Sequence, residues 1–352
     1  MDGEGRYKEV TVKRRTLAGV ITLVLVMCML PLSGLAAKQK EKKKVLYTGI
    51  ITRNYKNSYT KVYKEQDKDS DVLGIFKAGS GGTRLEITAV YPYYVEIVYG
   101  GGYGYVVRGR VDEVVPVDMV NTPPYGVEKY YYYARIHQDT PVLSDKKQNA
   151  ETLSLLTDGA CVAVIGFEDG WAKVLYKRQY GYIDSRMLSD VLPVAKTVDE
   201  QEENMPIAVF SSFFSDNPNR INNLNVGCMR LCQIPLAPGE RLDFNNQVGR
   251  FNKANGYLPA PILTDGITTQ GMGGGSCQVS STLYNAVLQL PGITVLERHA
   301  HGDSGAAYLP HGVDASSGGA NFRIQNDYPF PVRFEYVLHD FCMTILVYRN
   351  DA

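Results

Sequence analysis

Gly271-Met-Gly-Gly-Gly-Ser-Cys277-Gln-Val-Ser-Ser-Thr-Leu-Tyr-Asn-Ala-Val287 puts one cysteine at the point where a glycine loop gives way to a helix. From Gln278 onward Val279, Leu283, Ala286, Val287 and Leu290 fall at helical spacing, whereas the glycines before Cys277 disfavour a helix. Cys277 therefore belongs in or just before the first helical turn. There the unpaired N–H groups and the positive end of the helix dipole favour the thiolate, which is the nucleophilic form of cysteine. Glycines 273–275 can take positive φ and let a substrate carbonyl approach backbone amides. Gly274, Gly275 and Ser276, with Gln278 and Ser280 on the following turn and Tyr308 downstream, form the candidate oxyanion and substrate set. The bland alternative is a glycine turn before a helix that buries a small cysteine.

A cysteine nucleophile needs a base, and the base needs an orienting group. Glu297-Arg-His299-Ala-His301 and Tyr308-Leu-Pro-His311-Gly-Val-Asp314-Ala supply imidazoles and a carboxylate within reach of one domain. His299 and His301 are two apart, so on a continuing strand they share a face and spacing does not separate them. Asp314 is a candidate orienter; a carboxylate in a Gly-Val-Asp turn also serves as a plain turn residue. No His-x-x-x-His pair lies on a helix, which argues against a metal hydrolase. No metal or cofactor is expected.

Six segments together resemble the VanW family: Asn219-Arg-Ile-Asn-Asn, Pro238-Gly-Glu-Arg-Leu-Asp-Phe-Asn245, Gly256-Tyr-Leu-Pro-Ala-Pro, Gly273-Gly-Gly-Ser-Cys-Gln-Val-Ser-Ser-Thr-Leu-Tyr-Asn-Ala, Glu297-Arg-His-Ala-His301 and Tyr308-Leu-Pro-His-Gly-Val-Asp-Ala. The resemblance covers roughly residues 204–349, with departures at Ser276 and at Gly302-Asp303. Some clostridial proteins with this domain are cysteine-dependent L,D-transpeptidases of peptidoglycan. The resemblance thus implies Cys277 as nucleophile, and it favours His301 over His299 as base.

The chain has 352 residues, enough for two or three domains with their own cores. Lys+Arg and Asp+Glu are both 37, so there is no electrostatic case for nucleic acid as a partner. Residues 1–44 read as a short polar stub ending in Lys13-Arg-Arg15, an apolar run from Leu17 to Ala37, and a basic tether. The run is about the 20 residues that span a bilayer, and the preceding charges favour an N-terminus inside. It is either a retained membrane anchor or a signal peptide cleaved near Ala36. Both readings export the rest of the chain to the cell envelope. The six cysteines, Cys28, Cys161, Cys228, Cys232, Cys277 and Cys342, show neither a disulfide framework nor paired metal knuckles.

Residues 45–194 contain an internal repeat. Tyr94-Val-Glu-Ile-Val-Tyr99 with Tyr103-Gly-Tyr105-Val matches Trp171-Ala-Lys-Val-Leu-Tyr176 with Tyr180-Gly-Tyr182-Ile, a constant shift from Tyr94 to Trp171 onward. The copies, 45–118 and 129–194, resemble bacterial SH3-like domains, whose strands close into small barrels. Tyr94, Tyr105, Trp171 and Tyr182 either line a groove for cell-wall glycan or peptide, or form the barrel cores. Met119 to Glu128 reads as a stiff linker and residues 195–204 as an acidic one, leaving 204–352 as a domain expected to fold alone. Its strand and helix signals, with Asn217 as cap and Pro218 opening a helix, predict an α+β domain. In it the cysteine helix packs on a mainly antiparallel sheet.

Three functions compete. The first is an exported L,D-transpeptidase that makes 3→3 cross-links between peptidoglycan stem peptides through a Cys277 thioester. The second is an amidase or endopeptidase that hydrolyses the same thioester. The third is a non-catalytic wall-binding protein, for which Cys277 would be dispensable.

Overall fold

A computed structural model describes residues 42–51, 59–77, 80–118, 127–200, 202, 204–264, 267–301 and 305–351. The apolar run 17–37, most of the 119–128 linker and Gly302-Asp303 lie outside them. Among the described residues no helix is long and apolar enough to cross a membrane.

The repeat in sequence is a repeat in backbone. Tyr94–Tyr99 pairs with Gly102–Val107 from Tyr94↔Val107 to Tyr99↔Gly102. Trp171–Tyr176 pairs with Gln179–Asp184 from Trp171↔Asp184 to Tyr176↔Gln179, the same register. Each hairpin turns in two residues with left-handed backbone, at Gly100 and Gly101 in the first copy and at Lys177 in the second. A single 3-10 turn follows each, Arg108–Arg110 and Ser185–Met187, and then a further strand, Val111–Pro116 and Asp190–Pro193. The copies differ in how their strands assemble. The first is one seven-stranded antiparallel sheet over a core of Val62, Ile87, Val95, Ile97 and Val106. The second divides into a five-stranded and a three-stranded sheet.

The division has a cause in packing. Cys161–Val164 is buried along its whole length. It lies against the C-terminal domain, where Ala163 N donates to Ser211 Oγ at 2.8 Å and Thr344 Oγ1 donates to Cys161 O at 2.5 Å. Phe213 and Cys342 share one apolar cluster with Val162, Val164, Ala172 and Val174. The acidic linker around 195–204 therefore marks a break in composition and no break in the core. The expectation of a self-contained 204–352 domain rested on that composition and on a length that suits one core.

The C-terminal region centres on Ala208–Phe213, a fully buried strand that pairs antiparallel with Cys342–Arg349, itself paired with Val332–His339. Helix α1 (Pro218–Leu231) starts as the sequence predicts: Asn217 accepts from Arg220 N at 2.9 Å and Pro218 follows in the first turn. Its core residues are Leu224, Cys228 and Leu231, and Asn223, off that apolar stripe, is also fully buried. A short helix α2 (Phe244–Val248) follows, and then α3 (Ser276–Val287), which carries the cysteine. One face of α3 lies along the sheet, with Thr282 Oγ1 2.7 Å from Ser212 Oγ. The opposite face is polar yet equally buried. Ser280 and Ser281 donate to Ala315 O, and Asn285 Nδ2 donates to Val313 O, so the 313–317 segment lies over the helix. The result is mixed and mostly antiparallel, with few helices.

Candidate active site

The glycine loop is fixed by close contacts and by one side chain from α1. Gly273 and Gly275 have φ of +74° and +109°. Gly274 has no room for a side chain, because a Cβ there would sit 2.5 Å from Ala260 O. Asn223 Nδ2 donates to Gly274 O and to Leu258 O, both at 2.9 Å, while its Oδ1 accepts from Leu258 N at 2.8 Å. Asn223 thus ties the loop to Leu258, the residue before the strand Pro259–Thr264, with both polar ends of its side chain.

Cys277 is the second residue of α3 and half-buried. Its sulfur lies 3.4 Å from Ser317 N and 3.5 Å from Ser317 Oγ, both positioned to donate to it. His301 is close enough to the sulfur for the two to interact. Its Nδ1 is 2.6 Å from Asp314 Oδ2, which leaves Nε2 for the sulfur. Asp314 is almost wholly buried, accepts the His301 backbone N–H at 2.7 Å, and has Arg298 Nη2 3.4 Å from its other oxygen. Arg298 is held in turn by Asp314 O at 2.7 Å and Gly312 O at 2.9 Å.

The electrostatics follow from this arrangement. Burial works against a thiolate at Cys277, but the His301 ring and the Ser317 donors outweigh it and bring the thiol below its ordinary value. Burial also works against an imidazolium, yet Asp314 and the Cys277 sulfur raise His301 to about 9. Asp314 is held below the usual carboxylate range, because His301 and Arg298 overcome the cost of its burial. The arrangement favours the thiolate at Cys277 and the imidazolium at His301.

The structure therefore brings Cys277, His301 and Asp314 together and leaves His299 out. The strand that leads to the histidines ends at Glu297. Beyond it the alternation of faces no longer applies, and His299 lies exposed against Glu297 at 3.1 Å. In the oxyanion set, the Ser276 and Gln278 N–H groups are tied back to Gly273 O (3.0 Å) and Gly275 O (2.7 Å). The Gly275 and Cys277 N–H groups take no acceptor among the described residues. Three residues of the substrate set turn inward. Ser276 Oγ donates to Gly273 O, Gln278 is fully buried against the sheet, and Ser280 holds Ala315 O, so none presents its side chain to a substrate. Tyr308 is half-buried, its hydroxyl 3.3 Å from Ser281 Oγ. Asn223, Ser317, Arg298 and Arg220 carry the site without a sequence signal that assigns them a role; the Asn219–Asn223 and Glu297–His301 segments stood among the motifs, and Ser317 did not.

The wall-binding candidates lie in the repeats. Tyr94 is 7% exposed, its ring packed between those of Tyr63 and Tyr93. Tyr105 donates its hydroxyl to Glu96 at 3.0 Å, and Trp171 and Tyr182 are half-buried.

Comparison with known proteins agrees with the position of this site. Residues 219–348 match the family described as "VanW like protein". The uncharacterized protein YoaR of Bacillus subtilis is 38% identical over 142 residues, which is 40% of this chain and 46% of that protein. The vancomycin B-type resistance protein VanW of Enterococcus faecalis is 30% identical over 83 residues, 24% of this chain and 30% of that protein. The chain thus spans less than half the length of either relative. A solved structure, NlpC1 from Trichomonas vaginalis, aligns over 86% of this chain and 95% of that one at 13% identity, with a TM-score of 0.18 that carries no argument. Residues 219–348, which hold Cys277, His301 and Asp314, form a VanW-like domain.

Proposed function

We propose that this domain is a cysteine acyltransferase of the cell wall, an exported L,D-transpeptidase that joins peptidoglycan stem peptides by 3→3 cross-links. The observation that supports it is the Cys277–His301–Asp314 line, a nucleophile paired with a base that a buried carboxylate orients. The Cys277 thiolate attacks the carbonyl of the diamino acid in a tetrapeptide stem, and the new S–C bond forms as the C–N bond to the terminal D-alanine breaks. The His301 imidazolium gives its proton to the departing amine. Neutral His301 then takes a proton from the side-chain amine of a second stem, which attacks the thioester. That step restores the thiolate and the imidazolium. The free Gly275 and Cys277 N–H groups are the donors available to the tetrahedral oxyanion.

In this reading residues 17–37 anchor the protein or direct its export. The two repeats, as SH3-like modules, hold it to the wall. The test is incubation of the chain from residue 45 with disaccharide-tetrapeptide, followed by intact mass and muropeptide analysis. Acyl-enzyme and 3→3 dimers are expected from the wild type, and neither from Cys277→Ala. A tripeptide product without dimers would make the enzyme a hydrolase, and dimers from Cys277→Ala would remove the mechanism altogether.

A further inference from the structure

Beside Cys277 stands an arginine that no acid answers among the described residues. Arg220, in the first turn of α1, is half-buried, and its Nη2 donates to Gln278 Oε1 at 2.7 Å. The orientation of that amide is fixed from its other end: Gln278 Nε2 donates to Ser212 Oγ at 2.9 Å and to Phe213 O at 3.1 Å, so its carbonyl faces the guanidinium. The aliphatic part of Arg220 crosses the start of α3, where a Cβ on Gly275 would come within 2.9 Å of Arg220 Cγ. The guanidinium lies over the Tyr308 ring, 5.9 Å from its centroid, and is close enough to Cys277 for the two charges to interact.

Among the described residues Arg220 has no Asp or Glu partner, and the bond to Gln278 is the one its guanidinium makes to the protein. A guanidinium drawn out of water without a carboxylate is costly. Its planar fork matches a carboxylate through two parallel bonds. Gln278 and Tyr308 hold that fork in place without using up its charge.

We propose that Arg220 receives a free carboxylate of the acyl donor and so sets which peptides reach Cys277, a role that rests on the acyl-transfer reading above. Gln278, which looked in sequence like a substrate contact, then acts one step removed by positioning Arg220. The class of donor that follows is a peptide with a carboxylate next to the scissile amide.

The first experiment needs no substrate. Cys277 is alkylated with iodoacetate, an anion, and with neutral iodoacetamide, and the ratio of the two rates is compared with that for free cysteine. Taking the ratio removes any change in thiol reactivity that a substitution itself brings. The wild type should favour iodoacetate, Arg220→Met should lower the ratio roughly tenfold, and Arg220→Lys should keep most of it. A ratio unchanged in Arg220→Met overturns the anion site. The second experiment measures acylation by a donor peptide with a free carboxylate and by the same peptide amidated. Arg220→Met should lose rate on the free acid and little on the amide. Equal losses on both would place the arginine at the oxyanion and overturn donor recognition. A ratio that responds as expected while no donor acylates Cys277 would sink the acyl-transfer reading and leave the anion site standing.

Discussion

The described part of the chain holds five cysteines, and the fold treats one of them differently. Burial pushes Cys161, Cys232 and Cys342 up to about 12 and Cys228 well above its ordinary value, whereas Cys277 moves down. Iodoacetamide at pH 7 should therefore modify Cys277 first, as read by peptide mass; equal labelling of Cys232 would contradict this. The same pair fixes a pH profile. Below the thiol's pKa the sulfur is protonated, and above about 9 His301 no longer has a proton to give the leaving amine. Acylation should follow a bell whose alkaline limb lies near 9. Asp314→Asn removes a cause that raises His301, so that limb should move to lower pH. Because the imidazolium also lowers Cys277, the acid limb should rise. The bell narrows, and the rate at pH 7 should fall by about 10²-fold or more. Unchanged limbs would show that Asp314 does not orient the base. At this scale the place of Cys277 in the first helical turn was legible, since glycines beside a helical stripe are a local signal. The choice between the histidines was not, because it depends on a strand that ends at Glu297 and on a carboxylate brought in from a distant turn.

At the scale of elements, α3 shows why a helix read from its apolar stripe is half read. Val279, Leu283 and Ala286 gave one buried face, but Ser280, Ser281 and Asn285 are buried too, because the 313–317 segment delivers backbone carbonyls to that side. A buried polar face that donates to backbone carbonyls looks, in sequence, like a solvent face. Asn223 repeats the lesson on α1. Replacing it with alanine strands the Leu258 and Gly274 groups it serves, which should cost about 2–4 kcal/mol and slow Cys277 alkylation as the loop loosens. Gly274 and Gly319 give a matched control for the loop. Gly274→Ala drives a methyl into the Ala260 carbonyl and should lower the melting temperature and the alkylation rate together, whereas Gly319→Ala enters open space and should change neither. Parallel behaviour of the two variants would mean that the tight loop plays no part.

At the scale of the whole molecule the second repeat and the C-terminal region share one core. The first copy has its own apolar cluster, separate from those of the rest. The second has no such independence, because Tyr133, Cys161, Ala163 and Leu175 lie in one cluster with Val209, Phe210, Leu283 and Ile345. Polar ties reinforce the join. Tyr130 N donates to Gln289 Oε1 at 3.1 Å, and Thr157 N and Oγ1 both donate to Asp340 Oδ2. Arg178, in the turn of the second hairpin, donates to Leu309 O at 3.1 Å and Ala306 O at 3.2 Å, so it also steadies the segment that carries Tyr308. Cutting at 204 would expose Phe210, Phe213 and Cys342 and leave the Ser211 and Thr344 hydroxyls bonded to each other without the Ala163 and Cys161 backbone groups they also hold. Each large side chain left in water forfeits about 1.5–3 kcal/mol, and a domain has only about 5–15 kcal/mol in total. Residues 127–352 should therefore melt cooperatively and keep fast alkylation at Cys277, while 204–352 should show neither. Circular dichroism melts of the two fragments beside residues 45–352 decide it, and a cooperative melt of 204–352 at the temperature of the longer fragment would show that the shared core contributes nothing.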